Sequence, residues 1–383
     1  MERFDVVLIG AGLAGLQCAR LLGRRGCSVL LVDRKSDVDQ FVHTTGIFVR
    51  KTFEDYPLGE AFLGPAIREV SLYSPAGRRI DLRSGRDEFR VGDMRRIYRH
   101  FLAEAVREGV TWLPETSYRT ARFDGSVNQI DLLRLGVLTT VEATTLIGGD
   151  GARSRVARDL GLDENRAWIA GAEVVLRLPF SGSEPRFHCF IDPRLAPGYL
   201  AWYVNDGEEV HLGVGGYPHR FHAAQALRDF RRRVESMFDL SGAEHLETRG
   251  GMIPVGGVLR RIGCRRGLLI GDAAGAVSPL TAGGLDPAMR LSELAASVVG
   301  DAISTGDMAR LDSYSGDAFR SRFISRLWMR SLFARLRSPM LIEAGFTGMA
   351  LSPLRAVAHH VFFGRGSFPD IASVGAREAG LRT

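Results

Sequence analysis

Short unbroken apolar runs alternate with helical periodicity at the start of the chain. Residues 6–9 (VVLI) are continuously apolar, which is typical of a strand buried in the middle of a parallel sheet. The next segment, up to Arg25, places apolar residues at helical spacing and ends at Gly26, and residues 28–32 form a second apolar run. The pattern predicts a strand–helix–strand unit at the start of an α/β fold.

Further along the chain, strands and helices are predicted in turn, whereas residues 34–51 show no period and predict a loop. Helices are predicted over 93–108, capped by Asp93, over 154–160, starting at Ser154, and over 221–238 and 285–302. The other segments predict a hairpin over 67–83 with its turn at 74–77, a strand over 110–112, antiparallel strands over 118–147, a separate sheet from 168–178, 186–191, 199–204 and 209–216, and a buried strand over 267–270.

The C-terminal segment has a different pattern, in which apolar residues and arginines interleave. The apolar residues are Phe319, Phe323, Leu327, Met329, Leu332, Phe333 and Leu336, and the arginines are Arg320, Arg322, Arg326, Arg330, Arg335 and Arg337. This predicts a helix with an apolar stripe and a basic opposite face. A second apolar piece, 354–363, is interrupted by Gly364, Gly366 and Pro369. We favour a helical cap over a cavity, with the arginines in solvent. The alternative is contact with an anionic membrane surface.

Composition and charge narrow the function classes. The 383 residues suggest two interleaved lobes, and the net charge of +6 comes almost entirely from arginine, since Lys35 and Lys51 are the only lysines. The basic residues are dispersed, which argues against nucleic-acid binding. The cysteines and histidines show no metal-ligand or hydrolase spacing. No run of about 18 apolar residues occurs, and the first strand leaves no room for a signal peptide. A cytoplasmic protein without a membrane span or metal is expected.

The glycines after the first strand carry the most specific signal. Gly10 permits a tight turn, Gly12 lets a pyrophosphate approach the backbone, and Gly15 lets the helix pack on the strand. The helix N-terminus offers free N–H groups to phosphates. Asp33 ends the second strand, where an acid binds ribose hydroxyls. The motif in this register predicts a dinucleotide site, and a purely structural glycine turn is the alternative.

Two later turns repeat this arrangement of a buried strand followed by glycine and an acid. Asp150 and Gly151 follow the strand that ends at 147, and Gly271 and Asp272 follow the strand over 267–270. Ligands of open α/β sheets bind outside such strand ends. A glycine loop at 279–285 then leads into a helix, which places backbone N–H groups and a helix N-terminus together. A glycine-rich helix entry without a ligand is the alternative.

Together the three turns resemble those of the FAD-binding flavoproteins of the aromatic-hydroxylase type, a superfamily that includes the geranylgeranyl reductases. The resemblance covers residues 4–305. It implies that the first turn binds the FAD pyrophosphate, that the second supports the cofactor, that Asp272 bonds the ribityl chain, and that the loop at 279–285 faces the flavin edge on which reduction places negative charge. The cofactor-binding residues expected are Gly10, Gly12, Leu13, Ala14, Gly15, Asp33, Arg34, Thr45, Arg95, Asp150, Gly151, Gly271, Asp272, Pro279, Gly283, Gly284 and Leu285.

A finer resemblance is to the geranylgeranyl reductases. Residues 271–281 are similar to their third fingerprint, 251–254 to another of their motifs, and 197–202 to their aromatic strand beside the flavin. Period-two alternation sends Tyr199 and Tyr203 to one face of that strand and Trp202 to the other. Aromatic residues on a sheet are often plain core, and it is the resemblance that implies that one of these two faces lines the substrate cavity. The chain departs from the group in three places. Thr44-Thr45-Gly46 stands where relatives often carry a cysteine, Ala157 where they carry arginine, and Ala282 where they carry glycine.

The resemblance implies an α/β fold: a Rossmann-like FAD-binding domain with an inserted antiparallel β-sheet substrate domain and a helical C-terminal cap. The expected boundaries are 1–66, 93–166 and 263–305 for the FAD-binding domain, 67–92 and 167–262 for the substrate domain, and 306–383 for the cap. No second dinucleotide motif with its acid is present, so NAD(P)H is expected to bind transiently beside the flavin, unless a flavin or ferredoxin reductase partner supplies the electrons.

The reaction implied is reduction of a C=C bond in a hydrophobic isoprenoid, polyketide or similar metabolite, in which the flavin itself supplies the chemistry. Alternatives are monooxygenation through a flavin hydroperoxide, and cyclisation or isomerisation without net redox change. A non-catalytic lipid-escort protein is disfavoured because the phosphate and ribityl motifs are intact. A halogenase is disfavoured because its tryptophan-rich motif is absent.

Overall fold

The computed structural model describes residues 1–178, 184–320, 324–349 and 352–364. Within them the strands are β1 (Arg3–Ile9), β2 (Val29–Val32), β3 (Ile47–Val49), β4 (Glu69–Tyr73), β5 (Arg79–Arg83), β6 (Phe89–Val91), β7 (Thr111–Leu113), β8 (Thr116–Phe123), β9 (Asn128–Arg134), β10 (Val137–Gly148), β11 (Trp168–Arg177), β12 (Arg186–Phe190), β13 (Ala201–Asn205), β14 (Glu209–Gly216), β15 (Glu244–Pro254), β16 (Gly263–Cys264) and β17 (Gly267–Leu269). The helices are α1 (Leu13–Arg24), α2 (Arg50–Asp55), α3 (Met94–Arg107), α4 (Arg155–Asp159), α5 (Ala223–Glu235), α6 (Leu285–Thr305), α7 (Asp317–Arg320), α8 (Ile324–Arg335), α9 (Pro339–Gly348) and α10 (Ser352–Phe363).

A parallel sheet carries the glycine-rich turns. Strands β17, β10, β1, β2 and β7 lie side by side in that order, all parallel, with β16 antiparallel at the β17 edge. Residues 6–8 of β1 are completely buried, as an unbroken apolar run requires. Helix α1 packs against α3 and α6. Because the strands are parallel, the turns after β1, β2, β10 and β17 meet at one edge of the sheet.

The strands over 118–147 are only partly antiparallel. β8 and β9 pair antiparallel, and so do β9 and β10. From Glu142 onward, however, β10 also pairs parallel with β1, and its last residues pair parallel with β17. The 12-residue β10 is long enough to serve both pairings. The expectation of antiparallel strands alone is therefore wrong for its second half.

The second sheet has the strand order β15-β11-β14-β13-β12-β4-β5 and is antiparallel except where β12 pairs parallel with β4. It contains the four segments predicted as a separate sheet and the predicted hairpin. Helix α5 packs on β11 and β14. The buried side chains of Phe190, Tyr203 and Phe230 belong to the core on that side. The α/β fold with an inserted sheet and a helical C-terminal region is confirmed. The domain boundaries stay a prediction.

The predicted strand over 199–204 begins later than expected, at Ala201. Tyr199 lies before the strand, so the period-two alternation does not reach it. Its ring meets Trp202 edge to face, with centroids 6.4 Å apart. Tyr203 instead stacks on Phe238, with centroids 4.5 Å apart, in the core beneath α5. The expectation that Tyr199 and Tyr203 share a face is wrong, and Tyr203 is a core residue.

The segment predicted as a loop, 34–51, contains β3 and the start of α2. β3 has three residues and is too short to show a period, and its pairing with β6 is not visible in the local sequence. Helix α9 was also not predicted. It begins at Pro339, a favourable first position, directly after Ser338.

The C-terminal helices do not divide into a buried apolar stripe and a solvated basic face. In α8, Trp328 is 68% exposed and Leu332 is 50% exposed, whereas Arg330 is only 5% exposed. The expectation that the arginines lie in solvent is wrong for Arg330. Four of the positions in this prediction, Arg322, Phe323, Gly366 and Pro369, lie outside the described residues. Among the described helices, none combines the length and apolar character needed to cross a membrane.

Candidate functional site

The turn between β1 and α1 is tightly packed against neighbouring backbone at Gly10 and Gly15 and has free space beside Gly12. Gly10 has a φ of +104°, and a Cβ on it would lie 2.3 Å from the Gly149 carbonyl oxygen. A Cβ on Gly15 would lie 1.8 Å from the Gly10 carbonyl oxygen, whereas one on Gly12 would meet nothing within 4 Å. No side chain caps α1. The first N–H groups of α1 therefore face an open cradle, the arrangement that suits a phosphate.

Asp33, at the end of β2, braces this turn. Its carboxylate accepts hydrogen bonds from the backbone N–H groups of Ala11, at 2.7 Å, and Lys35, at 3.0 Å. The turn and the acid therefore form one unit at the carboxyl ends of adjacent strands. Arg34, the next residue, is exposed beside it.

The second turn lies directly against the first. The Gly149 N–H donates to the Ile9 carbonyl oxygen at 2.8 Å. The Asp150 carboxylate accepts from the Ser154 hydroxyl at 2.6 Å and from the Arg155 N–H at 2.7 Å, and burial raises the pKa of this carboxyl. Asp150 is thus committed to the start of α4, with Ser154 as the N-cap that the sequence predicted. These hydrogen bonds fix the turn against α4, and a contact of Asp150 with a cofactor stays a prediction.

The third turn meets the first from the other side. A Cβ on Gly271 would lie 2.8 Å from the Ala14 Cβ of α1, so the two turns touch. The Asn165 side chain donates to the carbonyl oxygens of Ala152, at 3.1 Å, and Asp272, at 2.8 Å, and so joins the second and third turns. Burial raises the pKa of the Asp272 carboxyl to about 6.

The loop before α6 lies against Asp272. It is closed by hydrogen bonds from the Ser278 N–H to the Gly283 carbonyl oxygen, at 3.0 Å, and from the Ala282 N–H to the Ser278 carbonyl oxygen, at 2.9 Å. A Cβ on Gly284 would lie 3.6 Å from an Asp272 carboxylate oxygen. Ala282 has a φ of +54°, a conformation that glycine adopts more readily. No side chain caps α6, so a second uncapped helix N-terminus lies beside the third turn.

Residues 3–331 match the FAD binding domain family. The chain belongs to this family. It is 28% identical over 316 residues, about 80% of each sequence, to digeranylgeranylglycerophospholipid reductase of Methanothrix thermoacetophila. Its fold is similar to that of a geranylgeranyl bacteriochlorophyll reductase-like protein of Thermoplasma acidophilum, with a TM-score of 0.83 and 19% identity over 99% of each chain. It is also similar in fold to p-nitrophenol 4-monooxygenase of Pseudomonas putida, with a TM-score of 0.68 and 19% identity over the whole of each chain.

The protein is thus an FAD-dependent oxidoreductase, as the resemblance of its motifs implied. The three turns and the loop before α6 adjoin one another at the carboxyl ends of the parallel strands. Their binding of the cofactor stays a prediction. Two of the predicted cofactor residues lie at the margin of these turns. Arg95 of α3 is 53% exposed and donates to Glu247 of β15 at 2.6 Å, and Arg34 is exposed beside Asp33. Their contacts with a cofactor stay predictions.

A buried acid of β11, Glu173, joins the second sheet to the segment before β3. Its carboxylate accepts hydrogen bonds from the Trp202 indole N–H, at 2.9 Å, and from the Thr45 hydroxyl. The register places Glu173, Gly213 and Trp202 in one row across β11, β14 and β13. Because Gly213 has no side chain, the indole lies over it and reaches Glu173. A Cβ at Gly213 would be 2.0 Å from the ring.

The charge of Glu173 is balanced by Arg249 and His211. Arg249 Nη1 lies 3.3 Å from Glu173 Oε1, and His211 lies between Glu173, at 3.7 Å, and Asp206, at 3.1 Å. Burial opposes ionisation of both Glu173 and His211. The attraction between their opposite charges and the hydrogen bonds to their neighbours outweigh this effect of burial. The pKa of Glu173 is lowered, and that of His211 is raised to about 9. Asp206, Glu209 and His211 have ligand atoms within 4.8 Å of one another, and two of the three, Asp206 and His211, form an ion pair.

Sequence reasoning missed Glu173, His211 and Tyr98. Glu173 is the one acidic residue in the otherwise mostly apolar β11, and this exception in the sequence pattern could have marked it as a candidate site residue. Tyr98 lies on the apolar face of α3, where the sequence does not distinguish a site residue from a core residue. Burial raises its pKa to about 12, and the nearby Asp272 carboxyl adds to the shift. Its position therefore joins α3 to the third turn.

Proposed function

We propose that the protein binds FAD across the three turns and reduces a C=C bond of a hydrophobic isoprenoid, polyketide or similar metabolite, with electrons from NAD(P)H. The observation that carries the proposal is that two uncapped helix N-termini, those of α1 and α6, and the half-buried Asp272 lie at adjoining turns. The relative named as a reductase of an isoprenoid phospholipid supports this choice of reaction.

The residues present fit FAD. The open side of Gly12 and the N–H groups of Leu13, Ala14 and Gly15 suit the pyrophosphate. Asp33 and Arg34 suit the ribose, and Asp272 suits the hydroxyls of the ribityl chain. The loop residues Pro279, Gly283, Gly284 and Leu285 suit the pyrimidine edge of the ring, where the α6 N-terminus favours negative charge. FAD, when bound, supplies hydride transfer to the substrate.

The chain's own residues shape the space beside the cofactor. Trp202 is held by Glu173, and the Tyr199 hydroxyl donates to the Thr281 carbonyl oxygen at 2.6 Å. These contacts fix two aromatic rings that form an apolar wall next to the loop before α6. Thr45, which donates to Glu173, connects this wall to the charged pair of Glu173 and His211. The two acids beside His211 keep its imidazole protonated. We assign Glu173 the role of positioning Thr45 and Trp202.

Electron supply and location follow from the same proposal. The chain has one dinucleotide turn with its acid, so NAD(P)H binds beside the flavin only during reduction, or a flavin or ferredoxin reductase takes its place. We propose a cytoplasmic enzyme that touches the membrane surface when it collects a lipid substrate. The exposed apolar side chains of Trp328, Met340 and Leu341 on the C-terminal helices support such contact.

Anaerobic turnover tests the reaction type. The purified enzyme with FAD is reduced without oxygen and mixed with an isoprenoid such as geranylgeraniol. We expect the flavin to be reoxidised and the product to gain two mass units per double bond. A monooxygenase would keep its flavin reduced until oxygen is admitted and would then add one oxygen atom. A cyclase or isomerase would give a product of unchanged oxidation level. Either outcome would contradict the proposed reduction.

A further inference from the structure

In the described part of the chain, Arg330 of α8 is a buried cation with no hydrogen-bonding partner. The residue is 5% exposed, and all three of its guanidinium nitrogens are buried with no hydrogen-bond partner among the described residues. Its guanidinium carbon lies 5.0 Å from the ring centroid of Tyr217 and 5.7 Å from that of Tyr199. The two rings lie within cation–π distance of the charge, but its N–H groups have no hydrogen-bond acceptor among the described residues.

Such an arrangement is unusual because a buried charge is normally paired. Arginine carries five N–H donors in one plane, and aromatic rings stabilise only the faces of that plane. A buried guanidinium whose N–H groups form no hydrogen bonds destabilises the folded protein. A carboxylate or a phosphate is the hydrogen-bond acceptor that suits these N–H groups best. The other two arginines that are buried in the described part of the chain, Arg20 and Arg290, have such partners. Arg290, for example, is equally buried and pairs with Asp286 and Asp55.

The position of Arg330 connects it to the proposed substrate space. Tyr199, which it contacts, meets Trp202 edge to face and bonds the Thr281 carbonyl oxygen. One turn earlier on α8, Arg326 donates to the Ser278 hydroxyl at 3.2 Å. Helix α8 therefore packs against both the loop before α6 and Tyr199, and Arg330 lies at this contact.

We propose that Arg330 binds the anionic group of an amphiphilic substrate, a phosphate or carboxylate at the end of a long apolar chain. The apolar chain lies along the wall of Tyr199 and Trp202, and the anion replaces the missing partner of the guanidinium. This inference rests on the proposed function, since it names the class of substrate that the same site takes. It does not depend on which bond of that substrate reacts.

Binding to the FAD-loaded protein tests it, with geranylgeranyl phosphate and geranylgeraniol as probes. Arg330→Gln is expected to weaken binding of the phosphate by about tenfold to a hundredfold, the loss of a charged hydrogen-bonded contact, and to change binding of the alcohol less than about threefold. Arg335→Gln, an exposed arginine on the same helix, is the matched control and should change neither. Arg330→Lys, which keeps the charge, should recover part of the affinity.

Two outcomes would overturn the proposal. One is an equal loss for the phosphate and the alcohol, which would make Arg330 a packing residue. The other is binding of inorganic phosphate alone as tightly as the lipid phosphate, which would make the site one for free phosphate. If Arg330→Gln fails to fold, Arg330→Lys and Arg330→Met give the same comparison. Absence of C=C reduction would contradict the proposed function and leave this discrimination intact, so the two failures are distinguishable.

Discussion

Gly12→Ala yields a folded protein that no longer retains FAD, if the first turn binds the pyrophosphate. The backbone at Gly12 is extended, with φ −80° and ψ −176°, which any residue adopts, and an added Cβ meets no protein atom within 4 Å. The free energy of unfolding of the FAD-free protein should therefore change by less than about 1 kcal/mol. The same methyl group occupies the side on which a pyrophosphate approaches, so FAD affinity should fall by at least about a hundredfold.

Gly15→Ala is the contrasting variant. Its Cβ would lie 1.8 Å from the Gly10 carbonyl oxygen, so α1 cannot stay in place against β1. We expect loss of stability before any specific effect on FAD. Thermal unfolding without FAD and fluorescence titration with FAD separate the two variants. A destabilised Gly12→Ala protein, or one that binds FAD normally, would contradict the role given to the open side of this turn.

Stability should fall between pH 6.5 and 8.5 because of His211. Its pKa is raised to about 9 in the folded protein by Asp206 and Glu173, against an ordinary value of 6.5. The stabilisation is therefore fully present below pH 6.5 and is lost as the pH rises toward 9. At about 1.4 kcal/mol per pH unit, the free energy of unfolding should decrease by about 2–3 kcal/mol over this window. Urea unfolding at several pH values measures it.

His211→Gln is the control for this pH dependence. Glutamine cannot take up a proton, so the decrease between pH 6.5 and 8.5 should disappear, although the variant should be less stable at pH 6.5 because Glu173 and Asp206 lose their cation. The other buried histidine among the described residues, His188, does not contribute to the decrease in stability between pH 6.5 and 8.5. Burial lowers its pKa to about 3, so its contribution is lost only as the pH falls below 6.5. An unchanged slope in His211→Gln would show that another group titrates.

The sequence predicted those parts of the site that are formed by residues close together in the chain. Gly10, Gly12 and Gly15 report the shape of one turn, and the strand before each acid places Asp150 and Asp272 at the same sheet edge. Tyr199 and Tyr203 were paired wrongly because a strand boundary shifted by two residues, and in a period-two pattern the boundary decides which residues share a face.

The charged and polar contacts between distant segments could not be predicted in this way. Glu173, Trp202 and His211 meet because three strands pair in a particular register, and Thr45 joins them from a segment more than 100 residues away in the sequence. Arg330 lies in an arginine-rich helix whose sequence gives no sign of which arginine is buried. These contacts depend on tertiary packing, which a single sequence does not encode in its local periodicity.

The central claim is that the turns near residues 10, 150 and 272 form one flavin site, and FAD titration of Asp272→Ala tests it most directly. The wild-type protein should bind one FAD per chain. The variant, folded by circular dichroism, should bind at least about tenfold more weakly, the loss of a charged hydrogen bond to the cofactor. Unchanged FAD affinity in Asp272→Ala would contradict the claim.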